Sequence, residues 1–125
     1  MIVIFDSTVL IHFNNHYNTM QMIIKNNNIS KGFITRINYI EILAGASENA
    51  KLETKKYLQK YSILEFDNKA TQIANKLATQ VRVSKKNQRD FLIAAIAIAN
   101  KLSLLTENTK DFIYPNLKVV GYKIK

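Results

Sequence analysis

RDFLIAAIAIANKLSLLT, residues 89–106, places one carboxylate, Asp90, at the start of an almost unbroken apolar run. The run predicts a helix that begins near Asp90 and packs in the protein core. SLLT, residues 103–106, follows it as a short strand. A helix that leads into a buried strand is typical of folds in which helices cover a parallel sheet. The stretch therefore indicates the fold class and leaves the position of Asp90 to be explained.

Outward from this stretch, short strands alternate with helices along the chain. The predicted strands are IVIF at 2–5, ISKGFI at 29–34, SILEF at 62–66, SLLT at 103–106 and LKVVGY at 117–122. The predicted helices cover 7–13, 17–26, 35–46 and 48–61, with one more from Asp67 and one from Asp90. This order predicts an α/β fold, a three-layer α/β/α sandwich with a central, mostly parallel sheet, and a single domain over residues 1–125.

The composition favours a cytoplasmic protein that binds polyanions. With 18 basic and 9 acidic side chains the net charge is +9, which favours nucleic acid as a partner, although solubility or an acidic protein partner would use the same excess. The absence of cysteine excludes disulfides and thiolate sites. The N-terminus carries no basic leader, and no apolar run approaches the ~20 residues of a membrane span. We therefore expect a soluble, cytoplasmic protein that does not interact with membranes.

Four of the nine acids fall where they could meet. In open parallel sheets, ligands bind at the carboxyl ends of the strands, where the strand order reverses. Asp6 directly follows the first strand, and Asp111 lies in the loop after the fourth. Asp90 lies in the first turn of the helix that leads into that strand, and Glu41 lies roughly 9 Å along the helix after the second. If the first and fourth strands are neighbours, these four carboxylates share one pocket.

Carboxylates crowded into one pocket need a cation, because like charges raise one another's pKa. Mg²⁺ or Mn²⁺ is the natural choice, since hard cations take oxygen ligands. Such an ion polarises a phosphoryl oxygen, so an acidic pocket on a basic protein predicts phosphodiester hydrolysis. Lys85, Lys86 and Arg89 lie beside the pocket in sequence and are candidate contacts to the phosphates of the scissile strand.

These residues resemble a known family, the PIN-domain ribonucleases of the VapC toxin type. The resemblance covers nearly the whole chain. Four segments carry it: FDSTVLI at 5–11, TRINYIEILAGA at 35–46, RDFLIAAIAIANKLSLLT at 89–106 and TENTKDF at 106–112. Each segment alone would be a weak signal, whereas their order and spacing are jointly specific.

The resemblance implies an endoribonuclease that depends on Mg²⁺ or Mn²⁺ and acts as the toxin of a type II toxin–antitoxin pair. A cognate antitoxin would block the acidic pocket, and the toxin would form a homodimer and cut structured RNA such as tRNA or ribosomal RNA. By position, Asp6 and Asp90 match the principal metal ligands. Glu41 matches a further ligand or a water-orienting base, and Asp111 a peripheral catalytic residue. The small polar residues expected to support the pocket are Ser7, Thr106 and Asn108.

Two positions depart from the family pattern. Thr8 stands where asparagine is frequent, and Glu107 stands where a basic residue is frequent. The extra negative charge of Glu107 could recruit another cation, weaken the approach of RNA, or point to solvent. The departures therefore leave room for activity that differs from that of the family.

Each acid, taken alone, also has a purely structural interpretation. Asp90 could form a capping box with Asn87, and Asp6 could cap the helix that follows it. Arg36 could pair with Glu41, which would make that acid a structural one. The joint placement at the strand ends argues against these interpretations.

Other residues also allow more than one interpretation. In the helix predicted at 48–61, Leu52, Tyr57 and Leu58 are expected to be buried. The lysines of that helix could face RNA or simply form a solvated surface; they are Lys51, Lys55, Lys56 and Lys60. His12 and His16 have the i,i+4 spacing of a metal pair, but the HExxH glutamate is missing, which favours surface histidines.

Two other classes of function fit parts of the pattern. The chain could be a catalytically silent RNA-binding or scaffold protein with the same fold, although the intact acids weigh against this. A receiver-like signalling domain also gathers acids at strand ends, and Asp67 could be its phosphoacceptor. That class would leave Glu41 and Asp90 without a role.

Overall fold

The computed structural model describes residues 1–124 and contains one five-stranded sheet. The strands are β1 (Ile2–Phe5), β2 (Lys31–Thr35), β3 (Ile63–Leu64), β4 (Ser103–Thr106) and β5 (Val119–Gly121). Their order is β3-β2-β1-β4-β5, and each neighbouring pair is parallel. β1 and β4 are therefore neighbours, which is the arrangement that the pocket requires. The prediction of a single domain over residues 1–125 includes Lys125, which lies outside the described residues, and stays a prediction.

Six helices cover the sheet within the described residues. They are α1 (Ser7–Asn15), α2 (Tyr17–Asn26), α3 (Arg36–Gly45), α4 (Lys51–Leu58), α5 (Asn68–Ala78) and α6 (Gln88–Asn100), with short 3₁₀ turns at Glu48–Ala50 and Thr109–Asp111. The helix and strand order matches the prediction from sequence. Within residues 1–124, no helix is both long and apolar enough to cross a membrane.

The alternation of side chains along β1 creates the two sides of the core. Val3 and Phe5 pack with residues of α1, α2 and α4 on one face of the sheet. Ile4 points to the opposite face and packs with Leu104 and Ile93, the latter from α6. α5 covers the outer side of α6. The fold is thus the predicted α/β/α sandwich, with a central strand whose side chains are buried on both faces.

The second and third strands differ from their predicted bounds. The second was predicted to start at Ile29, but the Ile29 amide donates to the Ile24 carbonyl at 3.0 Å and closes the end of α2. β2 therefore begins two residues later, at Lys31. The third is only two residues long because β2, its partner, ends at Thr35, where α3 begins. The end of α2 therefore sets the first boundary, and pairing with β2, which local sequence does not encode, sets the second.

α4 packs differently from its prediction. Leu58 is buried as expected, but Leu52 is 64% exposed and Tyr57 is 37% exposed, so the prediction that these two are buried is wrong. Lys51 Nζ donates to the carbonyls of Leu43 and Ala46, at 3.2 and 3.1 Å, and so satisfies the C-terminal end of α3. α4 thus contributes its C-terminal residue to the core, while its first lysine binds the neighbouring helix instead of facing outward.

Gly32 in β2 lies directly under the ring of Phe5. A Cβ built on Gly32 would come within 2.1 Å of Phe5 Cε2, closer than any real contact. The ring is confined because its centroid lies 5.8 Å from that of Phe13 and 6.2 Å from that of Tyr61. No such crowding exists at Gly45, where an added Cβ meets nothing within 4 Å among the described atoms.

We predict that Gly32→Ala lowers the free energy of unfolding by about 1–3 kcal/mol, because the methyl group forces the Phe5 ring out of its packed position. Gly45→Ala, the control, should leave stability unchanged or slightly raised, since alanine favours helix. Urea denaturation of both variants measures the difference. Equal stabilities for the two variants would contradict this packing.

Candidate active site

Asp6 lies just after β1, and side chains from two other elements hold its carboxylate. Thr106 Oγ1, at the end of β4, donates to Asp6 Oδ2 at 2.8 Å. Asn38 Nδ2, in α3, donates to Asp6 Oδ1 at 3.3 Å, and only 1% of Asp6 is exposed. Asp6 occupies the N-cap position of α1, but its side chain caps none of the amides of that fully described helix. The interpretation of Asp6 as a simple helix cap is therefore wrong.

Asp90 lies in the first turn of α6 and is 8% exposed. Arg89 Nη2 comes within 2.8 Å of Asp90 Oδ1, yet its N–H is not aimed at that oxygen. Among residues 1–124, no donor forms a hydrogen bond with Oδ1. The capping box with Asn87 is also wrong, because the Asn87 side chain accepts from the Ser84 amide at 2.8 Å and caps no amide of α6, which is described in full.

Burial is the main reason why the pKa of Asp90 is raised to about 6. The Arg89 charge opposes this shift, while the charges of Asp6, Asp111 and Glu41 raise the pKa of Asp90 further. The charges of the other three acids therefore influence Asp90 at the carboxyl edge of the sheet.

Glu41, in α3, is held on two sides. Ser7 Oγ donates to Glu41 Oε1, and Arg89 Nη1 donates to the same oxygen at 2.9 Å. The same nitrogen lies 2.9 Å from Glu41 Oε2, and 36% of the Glu41 side chain is exposed. Arg36 pairs instead with Glu65, at 2.8 and 2.6 Å. The interpretation of Glu41 as the partner of Arg36 is therefore wrong.

Asp111 lies at the rim of the pocket. It ends the 3₁₀ turn that follows β4, and it is exposed. Its negative charge raises the pKa of Asp90, as described above, and also the pKa of Tyr114. Burial raises the pKa of Tyr114, and the charges of Asp90 and Asp111 raise it further. Asp111 therefore contributes to the field of the pocket from its edge.

The three small polar residues connect the acids in different ways. Ser7 bonds to Glu41, and Thr106 accepts from the Asn108 amide at 3.0 Å while it donates to Asp6. Asn108 thus acts through its main chain. The sequence interpretation missed Asn38, which is fully buried and also donates to Ser7 at 3.0 Å. The capping box of Thr35 with Asn38 fixes this side chain, and the T-x-x-N pattern at 35–38 was the available signal.

The two departures from the family pattern lie on one side of the pocket. Thr8 Oγ1 lies 3.5 Å from Asp6 Oδ2, so its hydroxyl faces the buried acid. Glu107 Oε2 accepts from the Ile124 amide at 3.0 Å, and its Oε1 lies 3.8 Å from His12 Nε2. Glu107 is therefore tied to neighbouring groups rather than pointing freely to solvent.

The three basic residues predicted beside the pocket occupy two positions. Lys85 and Lys86 are exposed in the turn that precedes α6. Arg89 instead reaches into the pocket and contacts Glu41 and Asp90. Contact of these residues with RNA phosphates stays a prediction.

A cleft of about 520 Å³ opens beside these residues. Asp6, Ser7, Glu41 and Arg89 form its polar side. A neighbouring groove of about 650 Å³ is mainly apolar and shares Ile11, Ile42 and Thr54 with the cleft. The cleft and the groove are therefore continuous.

The chemistry of the pocket fits a divalent cation. Its donors are carboxylate oxygens, which Mg²⁺ and Mn²⁺ prefer, and Asp90 Oδ1 is buried without a hydrogen-bond donor among the described residues. In residues 1–124, no three acidic or histidine side chains already form a metal-binding group. The Arg89 guanidinium accounts for this in part, because it draws Glu41 and Asp90 towards itself. The acids are thus suitable as ligands but are not yet arranged around an ion.

Comparisons with known proteins identify similar chains. A model of the PIN domain family matches residues 3–114. Ribonuclease VapC2 of Rickettsia felis is 32% identical over 114 residues, which cover 85% of this chain and 83% of that protein. The crystal structure of Rickettsia felis VapBC2 bound to a promoter DNA fragment superposes with a TM-score of 0.74 at 25% identity, covering 98% of this chain and 100% of that chain. DNA-bound VapBC from Salmonella typhimurium shares the fold, with a TM-score of 0.77 at 19% identity and coverage of 97% and 98%.

The raised pKa of Asp90 predicts how stability without metal depends on pH. Between pH 3.8 and about 6 the folded state binds more protons at Asp90 than the unfolded state does. The contribution of Asp90 to the free energy of unfolding therefore falls as pH rises through this window. Urea denaturation in EDTA at several pH values should show that, as pH rises through this window, the free energy of unfolding falls less for Asp90→Asn than for the wild type. The same pH dependence in both proteins would contradict this interpretation.

Proposed function

The chain belongs to the PIN domain family, and we propose that it is a metal-dependent endoribonuclease, the toxin of a type II toxin–antitoxin pair. The observation that carries the proposal is the network that joins Asp6, Glu41 and Asp90 in a protein with a net charge of +9. Asn38 contacts Asp6 and Ser7, Ser7 donates to Glu41, and Arg89 contacts both Glu41 and Asp90. The curated relative from Rickettsia felis is named a ribonuclease, which supports RNA as the substrate.

Asp6 and Asp90 would hold a Mg²⁺ or Mn²⁺ ion, and Glu41 would complete the set as a ligand or as the base that orients water. The bound ion would polarise the scissile phosphate and lower the pKa of the attacking water. Thr106 and Asn38 keep the Asp6 carboxylate in one orientation, because each donates to a different oxygen of it. This fixed orientation reduces the reorganisation that metal and substrate binding require.

The basic surface would bring the substrate to the acidic pocket. Lys85 and Lys86 are exposed beside the start of α6, five and four residues before Asp90 in sequence, with Arg89 between them and Asp90. Lysine contacts to phosphates position a nucleic acid without reading its sequence. This arrangement suits a folded RNA such as a tRNA or ribosomal RNA, in which structure sets the position of the cut.

A cognate antitoxin would be the second partner. Solved structures of similar fold include VapBC bound to DNA and a toxin–antitoxin complex from Klebsiella pneumoniae. In this chain the apolar groove lined by Phe13, Tyr17 and Tyr57 continues into the acidic cleft, so a bound segment could also cover the cleft. We further propose a homodimer and action in the cytoplasm, where RNA and antitoxin are both present.

We predict that Asp6→Asn and Asp90→Asn each reduce metal-stimulated cleavage of labelled tRNA and ribosomal RNA by at least about a hundredfold, because each removes a charged ligand from the ion. Cleavage is measured with Mg²⁺, with Mn²⁺ and with EDTA. Asp67→Asn is the matched control. Asp67 accepts from the Ala70 amide at 2.9 Å as the cap of α5, a role that asparagine also fills.

Wild-type cleavage rates in the Asp6 and Asp90 variants would contradict the mechanism. RNA binding by the wild type without cleavage under any of the metal conditions would favour the silent RNA-binding alternative. The capping role of Asp67 argues against the receiver-like alternative, because the carboxylate that would accept phosphate already binds an amide.

We predict that Lys85→Ala/Lys86→Ala weakens RNA binding about tenfold at 50 mM salt, with a shallower salt dependence, because two phosphate contacts are lost. Lys55→Ala/Lys56→Ala, which removes the same charge from the exposed side of α4, should have a smaller effect. Filter binding across a salt series measures both variants. A larger loss in the α4 variant would place the RNA on the α4 surface instead.

A further inference from the structure

Arg89 makes an unusual pair of contacts for its position. It immediately precedes Asp90 in the first turn of α6, and consecutive residues of a helix normally point in different directions. Its guanidinium nevertheless turns back, so that Nη2 lies 2.8 Å from Asp90 Oδ1. It also reaches Glu41 in α3, at 2.9 Å from Nη1. One arginine thus bridges two acids from separate helices.

The bridging arginine compensates the charge of the pocket. Among the Lys and Arg side chains of residues 1–124, Arg89 is the one that forms ion pairs with any of the four acids, namely with Glu41 and Asp90. The other arginine ion pair, between Arg36 and Glu65, lies outside the pocket on exposed side chains. Without a metal ion, the guanidinium is therefore the main counter-charge for Glu41 and Asp90.

The same contacts obstruct metal binding. The guanidinium occupies carboxylate oxygens of Glu41 and Asp90 that a divalent ion would use. An arginine does not lose its proton in a protein, so it would also repel an adjacent cation. Arg89 and the ion cannot share these oxygens, and the guanidinium must leave them before they can act as ligands.

We propose that Arg89 is a positioning residue, a built-in counter-ion that holds Glu41 and Asp90 in the metal-free protein and competes with the divalent ion for them. The inference rests on the proposed function, since it concerns the same pocket. Arg89 stabilises the metal-free fold and lowers the affinity for metal. Once released, its guanidinium stands in the cleft, where a substrate phosphate would enter.

The test is a comparison of Arg89→Gln with the wild type by calorimetric titration of Mn²⁺ and by thermal unfolding with and without Mn²⁺. We expect Arg89→Gln to bind Mn²⁺ about tenfold more tightly, since the competing cation is gone. In EDTA its Tm should lie below that of the wild type, because the acids then repel one another. Mn²⁺ should raise its Tm by more than it raises that of the wild type.

Two variants serve as matched controls. Arg36→Gln removes an arginine ion pair outside the pocket, and Lys86→Gln removes one positive charge near the start of α6 without breaking a described ion pair. Both should keep nearly wild-type affinity for Mn²⁺. A tenfold gain in Lys86→Gln would assign the effect to net charge alone and overturn the role of Arg89. Unchanged or weaker binding in Arg89→Gln would overturn it too.

A second measurement covers the case in which Arg89→Gln does not fold. In the wild type, NMR follows the side-chain Nε–H signal of Arg89 during titration with Mg²⁺. The signal should shift with the same midpoint as the Asp90 amide, and a signal that stays in place would overturn the proposal. RNA cleavage is assayed separately, so a protein that shows the metal effects but never cuts RNA contradicts the proposed function and leaves the inference intact.

Discussion

Repulsion between carboxylates at one edge of the sheet is the constraint that organises the pocket. Burial and neighbouring charges raise the pKa of Asp90 to about 6, so keeping this acid charged in the folded state costs free energy. Arg89 opposes the shift of the Asp90 pKa, and other contacts hold the neighbouring acids. Thr106 and Asn38 donate to Asp6, Ser7 donates to Glu41, and a guanidinium bridges two of the acids. A protein that needed only stability would not gather these groups.

The topology of the sheet makes this crowding unavoidable. β1 lies between β2 and β4, so the loops that leave the carboxyl ends of these three strands meet above the same edge. Asp6 directly follows β1, and α3, which carries Glu41 and Asn38, follows β2. α6 begins at this edge and runs away from it towards the start of β4, so its first turn holds Asp90 there. Four side chains from three separate segments therefore reach one edge of the sheet through the strand order.

The sequence predicted the parts of the fold and site that depend on local pattern. The IVIF strand, the apolar α6 helix and the placement of the acids follow from periodicity and from the strand-end rule. The orientation of Arg89 and the burial of Asn38 did not follow, because they depend on contacts with residues 48 and 32 positions away. The exposure of Leu52 was missed for a similar reason. Helical spacing indicates which residues share a face, but not whether another element covers that face.

The charge pattern also explains why metal and RNA binding should depend on each other. The protein as a whole is basic, with a net charge of +9, and attracts the phosphate backbone. The pocket itself is acidic and repels it at close range. A divalent ion held by Asp6 and Asp90 would offset most of the negative charge of the pocket and give the scissile phosphate a cation to bind. Because coupling between two ligands is reciprocal, bound RNA would in turn tighten the hold of the acids on the ion. Because the pocket stays negative until the ion binds, the phosphate can approach it closely only when the metal is present.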